Sequence, residues 1–269
     1  MTITIKKSIQ LLSITLVCTL SLYACATPPP PPAVVEADPN ILRVGVSPDA
    51  PPLIYKQDKE ITGLEAEMAV ELGKYLKKTA VLVEIPWEDQ IPALLDNRTD
   101  IIMSGMSVTL ARQYKIAFSK PYFKSGLMIL AKDLHKFTFI KNRETAFAQS
   151  ITWRIGVVKG TTGEAFIHQK STGAKAIRAY SNQEEALHAL MSGQIDVFVH
   201  DAPIILMMAA QHQTEGVKPL PIMLNEEYLA WGLRKDDPDL AASVNAFIDQ
   251  AKGQGMLQSI VKRWIPLAQ

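Results

Sequence analysis

The residues with the clearest chemistry lie between Asp100 and Tyr122, in the stretch DIIMSGMSVTLARQYKIAFSKPY. A short apolar strand pattern, Ile101 to Met103, turns at once into small polar residues, Ser104, Gly105, Ser107 and Thr109, and Arg112 follows. Small side chains leave the backbone open to a ligand, and hydroxyls can hydrogen-bond one without filling the space. A guanidinium just beyond presents a planar fork of donors that matches a carboxylate. The stretch therefore has the parts of a cradle for a small acid. It also has a plainer reading, a strand leading into a capped helix with Arg112 in solvent, and taken alone it does not separate the two.

Composition narrows the classes. A chain of 269 residues, 48% of them hydrophobic, is long enough for one or two well-packed domains. Its 28 basic and 27 acidic residues leave no excess of the kind that grips nucleic acid. Cys18 and Cys25 are the only cysteines, so the folded part has no disulfide framework and no cysteine zinc site. His135, His168, His188, His200 and His212 are scattered without a metal-ligand spacing. Neither a metal nor another cofactor is expected.

The first residues read as an address. Lys6 and Lys7 precede an apolar run from Ile9 to Tyr23, the charge-then-hydrophobe order of a secretory signal, and the run is short for a spanning helix. Leu22-Tyr23-Ala24-Cys25 resembles a bacterial lipobox, in which Cys25 is lipidated and becomes the first mature residue. The alternative is an ordinary signal peptide with a chance cysteine. Loss of residues 1–24 removes Lys6 and Lys7 and takes the formal charge from +1 to −1. Ala26, standing where aspartate would retain such a lipoprotein, slightly favours the outer membrane. Pro28 to Pro32 favours extended polyproline II, a semi-rigid spacer, so residues 25–39 are expected as a linker and the fold near Asn40.

Beyond the linker the pattern alternates strand and helix, and it repeats. Leu42 to Val46 is a buried-strand pattern ending in Ser47, Pro48, Asp49, Pro51 and Pro52. Gly63 to Lys78 has apolar residues every fourth position and reads as a helix, Val81 to Ile85 as a strand, and Glu88 to Asp96 as a short helix. Arg154-Ile155-Gly156-Val157 then repeats Arg43-Val44-Gly45-Val46 and leads into a helix starting near Thr162. Ala189 to Val199 parallels Ala93 to Met103, with Asp196 matching Asp100. Two similar α/β lobes are the simplest account. In mostly parallel sheets ligands sit beyond the carboxyl ends of the strands. Four loops qualify: 47–52, 104–109, 159–163 and 200–202. If the lobes face each other, all four line one cleft.

In order and spacing, the LRVGV opening with its prolines, PWEDQIPALLDNRTDIIMSGMSVTLARQ, FSKPY, RIGVVKGTTGEAF and IDVFVHD resemble the family 3 periplasmic solute-binding proteins, the amino-acid receptors of ABC importers. The resemblance runs from about Ile41 to Leu267. It implies a two-lobed type II periplasmic-binding-protein fold, α/β with mixed, mostly parallel sheets, flanking helices and a two-strand hinge. Lobe 1 is expected over 40–125 and 226–269, and lobe 2 over 129–223. It also implies a ligand whose carboxylate is clamped by Arg112, with donors from Ser107, the Gly105 backbone and Thr162. The ligand's ammonium falls to Asp201 and to acceptors near Gly105, and Trp87 packs on its side chain. Local chemistry agrees at two of these positions. Thr162 opens a helix whose free N–H groups favour an anion, and Asp201 is an acid past a strand end.

Plainer alternatives stand beside these. Asp201 could cap the helix at Ala202 and Pro203, Trp87 could be core, and Thr161 and Thr162 could serve only as turn and cap. Ser47 and Asp49 are further candidates for reading the ligand's side chain. There the sequence departs from the family, with Ser47 at the usual reading position and Ala50 where an aromatic is common. Glu65 stands where aspartate is usual, a structural position. The expectation is a monomeric, lipid-anchored binding protein on the periplasmic side of a bacterial membrane, delivering an amino acid or related zwitterion to an ABC permease. Two alternatives are kept: an enzyme resembling the cyclohexadienyl or arogenate dehydratases, and a ligand-sensing lipoprotein for a signalling receptor.

Overall fold

The computed structural model describes residues 38–132 and 134–266. The signal run, Cys25 and the proline linker lie outside the described residues. From Asp38 onward the chain forms one compact unit containing two five-stranded sheets.

The first sheet runs in the order Thr79–Glu84, Ile41–Val46, Ile101–Ile102, Gly232–Leu233, Ala117–Phe118. Its first three strands are parallel and Gly232–Leu233 enters antiparallel. The second sheet runs Ala176–Tyr180, Arg154–Val158, Val197–Asp201, Leu127–Lys132, Val217–Pro219, again with three parallel strands and then an antiparallel one. The helix expected from Gly63 to Lys78 spans Leu64–Leu76, because Gly63 sits outside it at φ 119° and Lys77 ends it in a left-handed turn. The strand expected at Val81 begins two residues earlier, at Thr79. The short helix expected from Glu88 divides into a 3-10 turn, Trp87–Asp89, and an α-helix, Gln90–Leu95.

The duplication seen in the sequence is carried into atomic detail. Val44 and Gly45 pair with Ile101 and Ile102, and Ile155 and Gly156 pair with Val197 and Phe198 in the same register. At the start of each pair an arginine binds an aspartate in the same way. The Arg43 backbone N–H, Nε and Nη2 donate to Asp100 at 2.8, 3.1 and 2.6 Å. The same groups of Arg154 donate to Asp196 at 2.8, 3.0 and 2.6 Å. Burial pushes the Asp100 carboxyl up, but the Arg43 hydrogen bonds outweigh it and hold the carboxyl below its ordinary value. The Arg154 hydrogen bonds do the same to Asp196. A lowered folded-state value means stability present above the unfolded value of about 3.9 and lost as pH falls through the folded one. Urea titrations should therefore show an Arg43→Gln/Arg154→Gln double variant less stable than the parent at pH 7. The gap should narrow as pH falls below the unfolded value of about 3.9, and a gap independent of pH would remove these pairs from the acid response.

The chain crosses between the sheets twice. Phe123–Ser125 and Glu227–Leu229 pair antiparallel as a two-stranded link. Backbones come closest at Gly126, where a Cβ would stand 2.3 Å from the Asn225 carbonyl oxygen, so only glycine fits. Asn225 also accepts the Leu127 N–H through Oδ1 at 2.8 Å. After the second crossing, helices Pro238–Gly253 and Met256–Trp264 pack back on Leu64–Leu76. Trp231, fully buried there, stacks between Tyr122 and Phe247, and Trp264 donates Nε1 to Glu67.

Candidate functional site

Ser47, Asp49, Trp87, Gly105, Ser107, Arg112, Thr161, Thr162 and Asp201 all line one cavity. The first sheet contributes the loops after Ile41–Val46 and Ile101–Ile102, and the second those after Arg154–Val158 and Val197–Asp201. The carboxyl-end argument thus holds for both halves.

Arg112 reaches the cavity because Thr109 caps the helix Leu110–Lys115, its hydroxyl accepting the Arg112 N–H at 3.2 Å. The guanidinium does not lie in solvent. Nη1 donates to the Ser107 carbonyl at 2.8 Å and Nη2 to the Gly160 carbonyl at 3.1 Å, so one side chain spans both halves. Its Cζ stands 5.2 Å from the centroid of the Trp87 ring, a cation–π arrangement on a half-buried indole. Burial lowers the Arg112 value, offset by the fields of Asp201 and Glu227, and an arginine in such a place keeps its charge.

Asp201 holds the N-cap position of Ala202–Gln211 without capping it. Its side chain is buried and Oδ1 has no partner among the described residues. A buried carboxylate oxygen without a donor is costly, and a cationic ligand group would supply one. Next to it, His200 Nδ1 accepts the Asp201 N–H at 2.7 Å, while buried Nε2 is unpartnered. The same Nδ1 lies 3.3 Å from Asp201 Oδ2, but the 2.7 Å contact is the shorter and requires a bare lone pair on that nitrogen.

Four expected contacts are otherwise engaged. Gly105, at φ 66°, gives its N–H to Glu65 Oε1 at 2.8 Å, so it offers a ligand its carbonyl and not the expected donor. Thr161 is the true N-cap of Thr162–Lys170. Its hydroxyl accepts the Glu164 N–H at 3.3 Å and donates to the Val158 carbonyl at 2.7 Å, which leaves it little to give a ligand. The hydroxyls of Ser107 and Thr162 both donate to Glu227 Oε2, at 2.5 and 2.9 Å.

Glu227 was not legible as a site residue. It lies on the second crossing strand, buried beside Leu229, with Asn225 Nδ2 donating to its other oxygen at 2.8 Å. Strand alternation puts Glu227 and Leu229 on the inner face and leaves Tyr228 outside, the one signal that the Glu226-Glu227 pair offered. Sequence reasoning passed over Gln183, which with Ser104 and His200 of the qualifying loops and apolar Ala50, Leu53, Val158 and Ile204 completes the lining. Ser104 Oγ accepts the Ser47 N–H at 2.8 Å. Gln183, with its amide oriented as its neighbours require, donates to Asp49 Oδ2 and to the Asp49 carbonyl, both at 3.1 Å.

The sequence pattern of the bacterial extracellular solute-binding proteins, family 3, matches residues 42–267. The chain belongs to that family. Among similar members, the L-cystine-binding protein TcyJ of Escherichia coli K12 is 28% identical over 225 residues, 83% of this chain and 82% of the relative. The ABC transporter arginine-binding protein 1 of the same organism is 25% identical over 84% of this chain and 90% of its own length. Among solved structures, an ancestral amino acid-binding protein, a precursor of cyclohexadienyl dehydratase, is 32% identical at TM-score 0.75, covering 84% of this chain and 95% of that one. A putative ABC-transporter binding component from Wolinella succinogenes, complexed with lysine, is 27% identical at TM-score 0.79, with 84% and 96% covered. The fold is the two-lobed type II architecture of these family relatives, whose named members bind amino acids for ABC transporters. The protein is accordingly an extracytoplasmic solute-binding component of an ABC importer.

Proposed function

We propose that the cavity captures an amino acid or a close zwitterionic relative, and that residues 40–125 with 226–269 move as one lobe against 129–223. Arg112 takes the ligand's carboxylate, beside the first N–H groups of Thr162–Lys170, which have no partner within their helix. Asp201 takes the ammonium through Oδ1, with the Gly105 carbonyl close by, and Trp87 covers the side chain. Ser107 and Thr162 frame the carboxylate end through Glu227. The observation that carries this reading is one cavity holding a guanidinium from the first sheet's side and an unpaired, buried carboxylate from the second.

A ligand bridging those two groups favours the closed arrangement, because only there are both of its charged ends satisfied. Calorimetry against a panel of amino acids tests this directly. The expected result is stoichiometric binding near or below micromolar, about −8 kcal/mol. The dehydratase alternative rests on the ancestral neighbour and on Asp49, whose carboxyl burial pushes up. Turnover of prephenate or arogenate, in place of reversible amino-acid binding, would favour it. The relatives are named as binding proteins, which supports a non-enzymatic role.

Cys25 is proposed as a lipid anchor, with the proline run as a spacer, the outer membrane as its site and the free protein as a monomer. The basis is the lipobox-like sequence alone. In a bacterial host, Cys25→Ser should shift the protein from the membrane to the soluble fraction and abolish incorporation of labelled fatty acid. Label retained in the variant would refute the anchor.

A further inference from the structure

Resting on the amino-acid reading, the cavity's charges say which amino acids it suits. Three carboxylates surround it, Asp49 and Asp201 in its lining and Glu227 behind Ser107 and Thr162, against the one guanidinium of Arg112. The one imidazole in the lining, His200, accepts a backbone N–H through Nδ1. The fields of Asp201 and Glu227 both act on the Arg112 guanidinium. A zwitterion then brings its ammonium to Asp201 and leaves Asp49 without a cation. Among the described residues Asp49 forms no ion pair with a lysine or arginine. Its neighbours are the Ser47 hydroxyl at 3.4 Å, the Gln183 amide and the His200 ring.

Two buried polar atoms at this end of the cavity, Asp201 Oδ1 and His200 Nε2, have no partner among the described residues and are open to a ligand's polar groups. Asp49 lies between that end and solvent, exposed at the cavity mouth, where the far end of an extended side chain would arrive. Ala50 lines the cavity beside it in place of a large residue.

We infer that the ligand is a cationic amino acid, its α-ammonium on Asp201 and its side-chain cation on Asp49 and the Gln183 carbonyl oxygen. The amide of Gln183 then turns to present oxygen to the cation, exchanging the two bonds it donates to Asp49 for one accepted from the ligand.

The test is calorimetry of the purified mature protein with L-lysine, L-arginine, L-glutamine and L-glutamate at neutral pH and two salt concentrations. Lysine or arginine should bind about tenfold or more tighter than glutamine, with glutamate weakest, and the cationic preference should shrink as salt rises. Asp49→Asn should reduce the lysine-over-glutamine ratio by about tenfold. Its thermal melt verifies that the variant is folded. Glutamine or glutamate binding as tightly as lysine, or a ratio unmoved by Asp49→Asn, would overturn the cationic assignment and leave amino-acid capture standing. Failure of every amino acid to bind would overturn both.

Discussion

Replacing Arg112 with alanine is expected to weaken binding of the cognate amino acid by about 2–5 kcal/mol, roughly 30- to 5,000-fold in Kd. The figure is that of truncating one side of a buried charge pair, where the partner left behind accounts for much of the loss. Two features put Arg112 at the high end. Its guanidinium is desolvated, so the interaction with a carboxylate is not screened by water. It is also held in place before the ligand arrives, by carbonyls at 2.8 and 3.1 Å and by the Trp87 ring, so little freedom is lost on binding. Arg112→Lys should recover only part of the affinity, because an ammonium cannot serve a carboxylate, the Ser107 carbonyl and the Gly160 carbonyl with one fork. Isothermal titration of parent and both variants is the measurement. An alanine variant that binds as the parent does would take Arg112 out of the site.

The second large effect concerns stability and comes from a residue outside the cavity. Glu65 is fully buried and its carboxylate receives three donors: the Gly105 N–H at 2.8 Å, the Tyr122 hydroxyl at 2.5 Å and the Trp231 indole N–H at 2.8 Å. Burial pushes this carboxyl up against the pull of those three hydrogen bonds. Glu65→Ala strands three buried donors at about 1–3 kcal/mol each and leaves a hole beneath the ligand loop. A loss of at least roughly 3 kcal/mol is expected, read as a fall in melting temperature of about 6–12 °C for a domain of this size. Ligand affinity should fall as well, because Gly105 is held in its left-handed conformation from below by that bond. Glu65→Gln keeps one acceptor oxygen and should lie between parent and alanine. An alanine variant melting within a degree of the parent would show that the three donors find other partners.

Glu65 and Glu227 mark how far local sequence carries. Glu65 opens a helix three residues into a recognisable turn, yet what it does depends on Gly105, Tyr122 and Trp231, which lie 40, 57 and 166 residues away. Glu227 joins Ser107 and Thr162 across 120 and 65 residues. No window on the sequence contains either set. The expectation that the Ser107 and Thr162 hydroxyls are free for a ligand's carboxylate failed because an internal carboxylate already holds them.

The sequence alone determined the parts whose cause is local. The repeat of Arg43-Val44-Gly45 in Arg154-Ile155-Gly156, with Asp100 and Asp196 following in the same order, announced two similar lobes, although arginine and aspartate stand 57 residues apart in the first and 42 in the second. The end of an apolar strand followed by serines, glycine and arginine marked the site loop, because a parallel strand's carboxyl end is where small and polar residues meet a cleft. Tertiary structure decided the rest: which threonine caps and which faces the cavity, that Arg112 bridges both halves, and how the charges balance. Those outcomes are sums over groups brought together by two chain crossings, and desolvation and unpaired charge exist only once the halves meet.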